Sequence, residues 1–210
     1  FRRYQIQSVW RAEKPQAGRY REFTQSDADI YGIASPLADA EVIAISLDLY
    51  KKLGFKKAVA VINNRNLMKD IPYPAIASID KLEKIGEKGV IEDMISKDIS
   101  KENAGKYLRK VKNIKPDQTI KTIFNYLEEA GFPNAWYQFK PTLARAFSYS
   151  QGPIWEIIIP EYAAGSVGGG ERYDKLVKNI SGQDVPATGF GLGFDRTLEA
   201  LEKCQLIPEF

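Results

Sequence analysis

The stretch RAEKPQAGRYREFTQSDADIYG, residues 11–32, concentrates the side chains in this chain best suited to chemistry. Arg11, Lys14, Arg19 and Arg21 crowd around the turn from Pro15 to Gly18, and Phe23, Gln25, Asp27, Asp29 and Tyr31 follow at every second position. On a strand, that period puts aromatic rings, an amide and two carboxylates on one face. Guanidinium groups present planar forks of donors that match phosphate oxygens, and the carboxylates suit a cationic or N–H-bearing second ligand. The plainer reading is a solvated hairpin whose arginines pair with Glu13 and Glu22, and a charge run alone does not choose between the two.

Two glycine-rich stretches add to the first reading. GGGERYD (168–174) and TGFGLGF (188–194) fit neither of the usual phosphate-loop patterns. Alternate glycines on a strand, however, leave one face bare, so that a flat ligand can lie against the backbone. Arg196 follows at once, at the start of a helix. Together these parts describe a nucleotide site with a ring platform at Phe23, a bare strand through Gly193, and arginines from both ends of the chain.

The elements that must position these residues follow from hydrophobic period and breakers. Residues 4–31 are expected to form an antiparallel hairpin with a long tip. Asp39 is placed as the N-cap of a helix carrying Val42, Ile43, Ile45, Leu47, Leu49 and Leu53 and ended by Gly54. KKAVAVIN and PIWEIIIPEY have the pattern of buried strands, SVGGGERYDKLV that of a glycine-rich turn entering a helix, and ATGFGLGFDRTLEALEKC that of a strand followed by a helix. Residues 66–135 are rich in Lys and Glu at helical spacing, with one helix closed by Gly131. The expected organisation is therefore a core at 1–65 and 136–210 interrupted by a helical insertion at 66–135, in the α+β class.

Composition removes whole classes of chemistry. The chain has 210 residues, a net charge of +3, one cysteine and no histidine. A Ser-His-Asp triad, a Cys-His pair and a His-ligated zinc site are all excluded, and the lone Cys204 excludes a thiolate-only zinc site as well. No metal site is assigned to the protein's own side chains. A single cysteine fits a reducing compartment. No apolar run approaches the roughly 20 residues of a membrane span, and no signal peptide is visible. A cytoplasmic protein with no membrane partner is expected. Any catalysis must run on arginines and carboxylates.

Beyond these physical readings, residues 1–32 resemble motif 2 of the class II aminoacyl-tRNA synthetases, in the form used by histidyl-tRNA synthetases. GFGLGFDR (189–196) resembles motif 3. LARAFSYSQGPIWE (143–156) is similar to a divergent copy of the family's histidine-specific segment, and GGGERYDKL (168–176) to its glycine-rich segment. The segment INNRNLM and the helical stretch after it also sit where that family has them. The resemblance spans essentially the whole chain and implies an antiparallel class II sheet flanked by helices.

It further implies ATP-dependent activation of histidine to histidyl-adenylate, with Mg²⁺, and transfer to tRNA(His) by a protein that is a homodimer at full length. Arg11 would hold the α-phosphate and the amino-acid carboxylate. Glu13 would contact the adenine amine, and Phe23 would stack on the ring, with Arg196 on its other face above Gly193. Arg19 and Arg196 would grip the outer phosphates, and Arg145 would act at the α-phosphate. Gln25, Asp29, Arg145 and Tyr173 would bind histidine.

Departures from the pattern are specific. Ala146, Ser148 and Ser150 replace a glycine, an aspartate and a tyrosine of the histidine-specific segment, leaving Tyr149 or Gln151 to take over the lost contact. Glu171 stands where the family has glycine or nothing, and its carboxylate is expected to point to solvent. Motif 1 and an anticodon-binding domain find no counterpart, so the chain is expected to be the central part of a catalytic domain. The rival reading is a non-catalytic paralogue, such as the regulatory subunit of ATP phosphoribosyltransferase. Retention of Arg11, Arg19, Arg145 and Arg196 together favours the enzyme.

Overall fold

A computed structural model describes residues 1–12, 14, 20–145 and 150–207; Glu13, Arg19 and Tyr149 lie outside them. The two alternating runs at the start of the chain pair antiparallel as β1 (Arg2–Trp10) and β2 (Glu22–Tyr31), with Arg3 opposite Asp29 and Gln5 opposite Asp27. The expected hairpin is thus present. Five further strands extend it: β3 (Val59–Asn64), β4 (Tyr137–Phe139), β5 (Pro153–Ile158), β6 (Gly168–Arg172) and β7 (Ala187–Gly193). Their order is β1-β2-β7-β6-β5-β3-β4, and each pairing is antiparallel except that of β3 with β4. The α+β class expected from the sequence is the class observed.

One face of this sheet is apolar and packs on two helices, α1 (Pro36–Lys52) and α5 (Gln118–Glu129). Ile30, Trp155, Ile157, Phe190 and Leu192 meet Val42, Ile43, Leu47, Ile120, Ile123 and Leu127 in one buried core. Because residues paired across antiparallel strands share a face, the opposite face is fixed by register. One row across it runs Asp29–Gly189–Glu171, and the next runs Asp27–Gly191–Gly169–Glu156. The sheet is thus apolar below and carries glycines and carboxylates above.

Two expectations fail here. The GGGE segment is strand β6 rather than a turn, since its glycines lie in register between β5 and β7. Gly170 is confined there, for a Cβ would stand 2.3 Å from both the Gly189 carbonyl oxygen and the Trp155 ring. Asp39 does not cap α1. Ser35 does, accepting from the Leu37 amide at 3.3 Å with Pro36 in the first turn. Asp39 is instead buried beneath the sheet, where it accepts from Arg172 Nη2 at 2.8 Å and Nε at 3.1 Å. Gly54 follows the helix end at φ +90°, as expected.

The other helices of residues 66–135 pack differently from α5. Helices α2 (Tyr73–Ile79), α3 (Leu82–Ile95) and α4 (Lys101–Lys112) gather around Met68, Ile76, Met94 and Leu108, and Ala144 inserts into that cluster. This contact anchors the backbone immediately before Arg145. Among the described residues, no helix is long and apolar enough to cross a membrane.

Asp93 of α3 locks part of this cluster, accepting from Lys81 at 2.9 Å and Lys97 at 2.7 Å. The two ammonium groups hold its carboxyl well below the usual carboxylate range. A depressed folded pKa gives stability that is present above the unfolded value, near about 3.9, and is lost as pH falls through the folded value. Asp93→Asn is therefore expected to cost up to about 1 kcal/mol at neutral pH. That cost should shrink as pH falls below about 4, which paired urea titrations would measure.

Candidate active site

The polar face of the sheet forms the floor of a cavity of about 870 Å³, within the size range of small-molecule sites. Arg11, Phe23, Gln25, Asp29, Arg145, Tyr173, Gly193 and Arg196, all singled out from the sequence, line it. Glu13, Arg19 and Tyr149 lie outside the described residues, and Gln151 is not among the lining side chains.

Position along the strands gives the cavity a direction. At one end the Arg11 guanidinium lies over the Phe23 ring, 4.3 Å from its centroid. Arg196, at the start of α7 (Phe194–Lys203), donates to the Ser166 carbonyl at 2.8 Å on the same side. Helix α7 is tied to the hairpin from two sides. Asp195 accepts from the Thr24 amide at 2.9 Å, and Glu199 accepts from the hydroxyls of Tyr20 and Tyr162. The arginines from the two ends of the chain, Arg11 and Arg196, are thereby brought to the same end of the cavity.

At the opposite end, the Tyr173 hydroxyl donates to Asp29, with Tyr31 Oη 3.3 Å away. Burial and the neighbouring Asp29 carboxylate push the Tyr173 phenol far up, so it remains a donor. Arg3 reaches Asp29 from β1 at 3.9 Å. The alternate glycines of β7 are not uniformly bare. Asp29 leans so far over Gly189 that a Cβ there would lie 2.0 Å from its Oδ1, and Gln25 and Asp27 similarly cover Gly191. Only toward Gly193 does the strand stay open, with nothing nearer than 3.6 Å. The glycines serve the carboxylates of β2 as much as any flat ligand.

Arg145 occupies the middle. Its Nη1 lies over Gly169, in the Asp27 row, and its guanidinium is 4.0 Å from Glu156 and 3.9 Å from Glu171. The residue adopts φ +40°, a left-handed conformation costly for a side chain with a Cβ and common at functional sites. Burial raises the pKa of Glu156, while Arg145 opposes the shift. Glu171 corrects the solvent expectation: it is 7% exposed, accepts from Ser150 and lines the cavity. Burial pushes its carboxyl up, against the pull of Ser150 and Arg145.

Sequence reasoning missed Arg3, Asp80, Glu156 and Glu171 as lining residues. The signal for Glu156 was present, as a lone charge inside an apolar strand. Arg3 faces the site only because β1 pairs in that register with β2.

The cavity and the antiparallel sheet under it define the class II aminoacyl-tRNA synthetase fold. The crystal structure of histidyl-tRNA synthetase from Nostoc sp. PCC 7120 superposes with a TM-score of 0.81 at 25% identity, over 99% of this chain and 56% of that one. The histidyl-tRNA synthetase family model matches residues 2–99 and 89–197, and the chain belongs to that family. Histidine–tRNA ligase of Korarchaeum cryptofilum is 37% identical over 95% of this chain and 52% of its own length. That of Aeropyrum pernix is 36% identical over the same shares. The chain thus spans about half the length of these relatives. A Bacillus halodurans structure titled ATP phosphoribosyltransferase regulatory subunit/histidyl-tRNA synthetase, at 23% identity and TM-score 0.71, shares the fold.

Proposed function

We propose that this chain is the histidine-activating core of a histidine–tRNA ligase, forming histidyl-adenylate from histidine and ATP for transfer to tRNA(His). The observation that carries this reading is the order of groups along one cavity. Phe23, Gly193, Arg11 and Arg196 lie at one end, Asp29 and Tyr173 at the other, and Arg145 in the middle, where Gln25, paired with Gly193, leans over Gly191 toward Asp27. Adenine and the outer phosphates belong at the first end, the imidazole at the second, and the α-phosphate beside Arg145.

The chemistry then needs no general base. The histidine carboxylate is already a nucleophile and attacks the α-phosphate in line, forming the new P–O bond as pyrophosphate departs. Charge grows on the phosphoryl oxygens and the leaving group. Positioning and electrostatic stabilisation by Arg11, Arg145 and Arg196 supply the catalysis. Among the described residues, no three His, Cys, Asp or Glu side chains gather as a metal site. Mg²⁺ would enter with ATP, as the counter-ion of its phosphates. A buried carboxylate also serves specificity, because an analogue that cannot satisfy it loses heavily, by roughly 10⁴–10⁵ in hydrogen-bonded sites.

Asp29→Ala is expected to raise the KM for histidine by about 10- to 150-fold, the worth of a hydrogen bond to a charged group, while sparing that for ATP. Steady-state kinetics separate the two, and equal losses in both would point to misfolding. The reading itself is tested by ATP–pyrophosphate exchange in the full-length protein with each of the twenty amino acids. Exchange with histidine alone is expected. Silence with all twenty while ATP still binds would favour a non-catalytic regulatory subunit.

A further inference from the structure

Glu171 is one of the charged side chains in the cavity that the activation chemistry above leaves without a task. Register places it on the polar face two strands from Asp29, with Gly189 between them and no side chain to separate them. Ser150 donates to its Oε2, while Oε1 stands 3.9 Å from Arg145 Nη2, beyond hydrogen-bond reach. Arg145 is no closer to Glu171 than Glu156 requires, at 3.9 and 4.0 Å. A mere counter-ion for Arg145 would be redundant with Glu156. Burying a second carboxylate is costly unless donors or cations meet it, and beside the Ser150 hydroxyl this one has the longer-range pull of Arg145 and Arg65 but no second hydrogen-bond donor among the described residues.

Resting on the histidine-activating reading, we propose that Glu171 is a specificity-determining residue: with Asp29 it receives the two ring N–H groups of the substrate as an imidazolium. A neutral imidazole has one donor and one acceptor, so it cannot satisfy two carboxylates, whereas the protonated ring offers a donor at each nitrogen. The cation also offsets a region in which Arg145 stands between two carboxylates. Ser150 orients Glu171 by fixing Oε2, so it acts as a positioning residue. The small side chain of Ser150 leaves the carboxylate room beside the substrate.

The test is ATP–pyrophosphate exchange in the full-length protein, using L-histidine and its two ring-N-methylated isomers. The native protein should reject both isomers, since each lacks one N–H. Glu171→Gln keeps the shape and the Ser150 contact. It should raise the histidine KM by about 10- to 100-fold with the ATP KM unchanged. Glu171→Gly should in addition admit one of the methylated isomers. A histidine KM within about twofold of native in Glu171→Gln, or a joint loss in both KM values and kcat, would overturn the assignment while leaving histidine activation standing. Absence of histidine-dependent exchange in the native protein would overturn both.

Discussion

Arg145→Ala should cut the rate of adenylate formation by about 10²–10³-fold, the loss that follows removal of one preorganised transition-state donor. The expectation rests on position. Arg145 lies over Gly169, midway between the Phe23 end and the Asp29 end of the cavity, where the proposed reaction would make and break its bonds. Its effect should fall on kcat, because the charge it stabilises grows only in the transition state. Arg145→Lys keeps the charge but loses the planar fork, and should recover part of the rate. Removing the cation also leaves Glu156 and Glu171 facing each other across the floor, so thermal unfolding should be recorded beside the kinetics. Near-normal adenylate formation in a folded Arg145→Ala protein would remove the residue from the mechanism.

Asp39→Ala should destabilise the fold by about 3–5 kcal/mol, the usual cost of stranding one partner of a buried ion pair. Arg172 donates to Asp39 through two nitrogens, and it also donates to the carbonyls of Ile33 and Ser35 and to Asp174. Without Asp39, a guanidinium remains under the sheet with only carbonyls and a partly exposed carboxylate to face. Arg172 lies between Glu171 and Tyr173 in sequence, so loss of the pair should loosen the Asp29 end of the cavity before the Phe23 end. Replacing both partners by apolar residues of similar volume should cost less than either single change. Denaturant titration of the two singles and the double distinguishes these outcomes; additive losses would contradict the account of a coupled pair.

Much of this arrangement was legible in the sequence. The period of two from Phe23 to Tyr31 put five side chains on one face, and all five line the cavity. The recurring glycines of β7 correctly marked a strand where something approaches the backbone, though what approaches Gly189 is Asp29 rather than a ligand. Long-range pairing was not legible. Asp39 and Arg172 are 133 residues apart, and an acidic residue in the first turn of a helix has an ordinary local explanation. Ser35 before Pro36 was the better cap signal. Glu171 looked like a loop carboxylate because three glycines precede it. Only strand register shows that it lies on the polar face of the sheet, lining the cavity. The burial of α5 against α1 was also beyond reach, since an amphipathic helix does not name the surface it covers.

The central claim is that one continuous cavity holds histidine at one end and ATP at the other, with Arg145 at the junction. It is tested most directly by the affinity of a non-hydrolysable histidyl-adenylate analogue, measured by calorimetry on the full-length protein. AMP and histidinol serve as the separate halves. If the two ends share one cavity, joining the halves spares the entropy of holding them separately, and the analogue should bind at least about 10²-fold tighter than either half. An analogue that binds no more tightly than AMP alone would contradict the account.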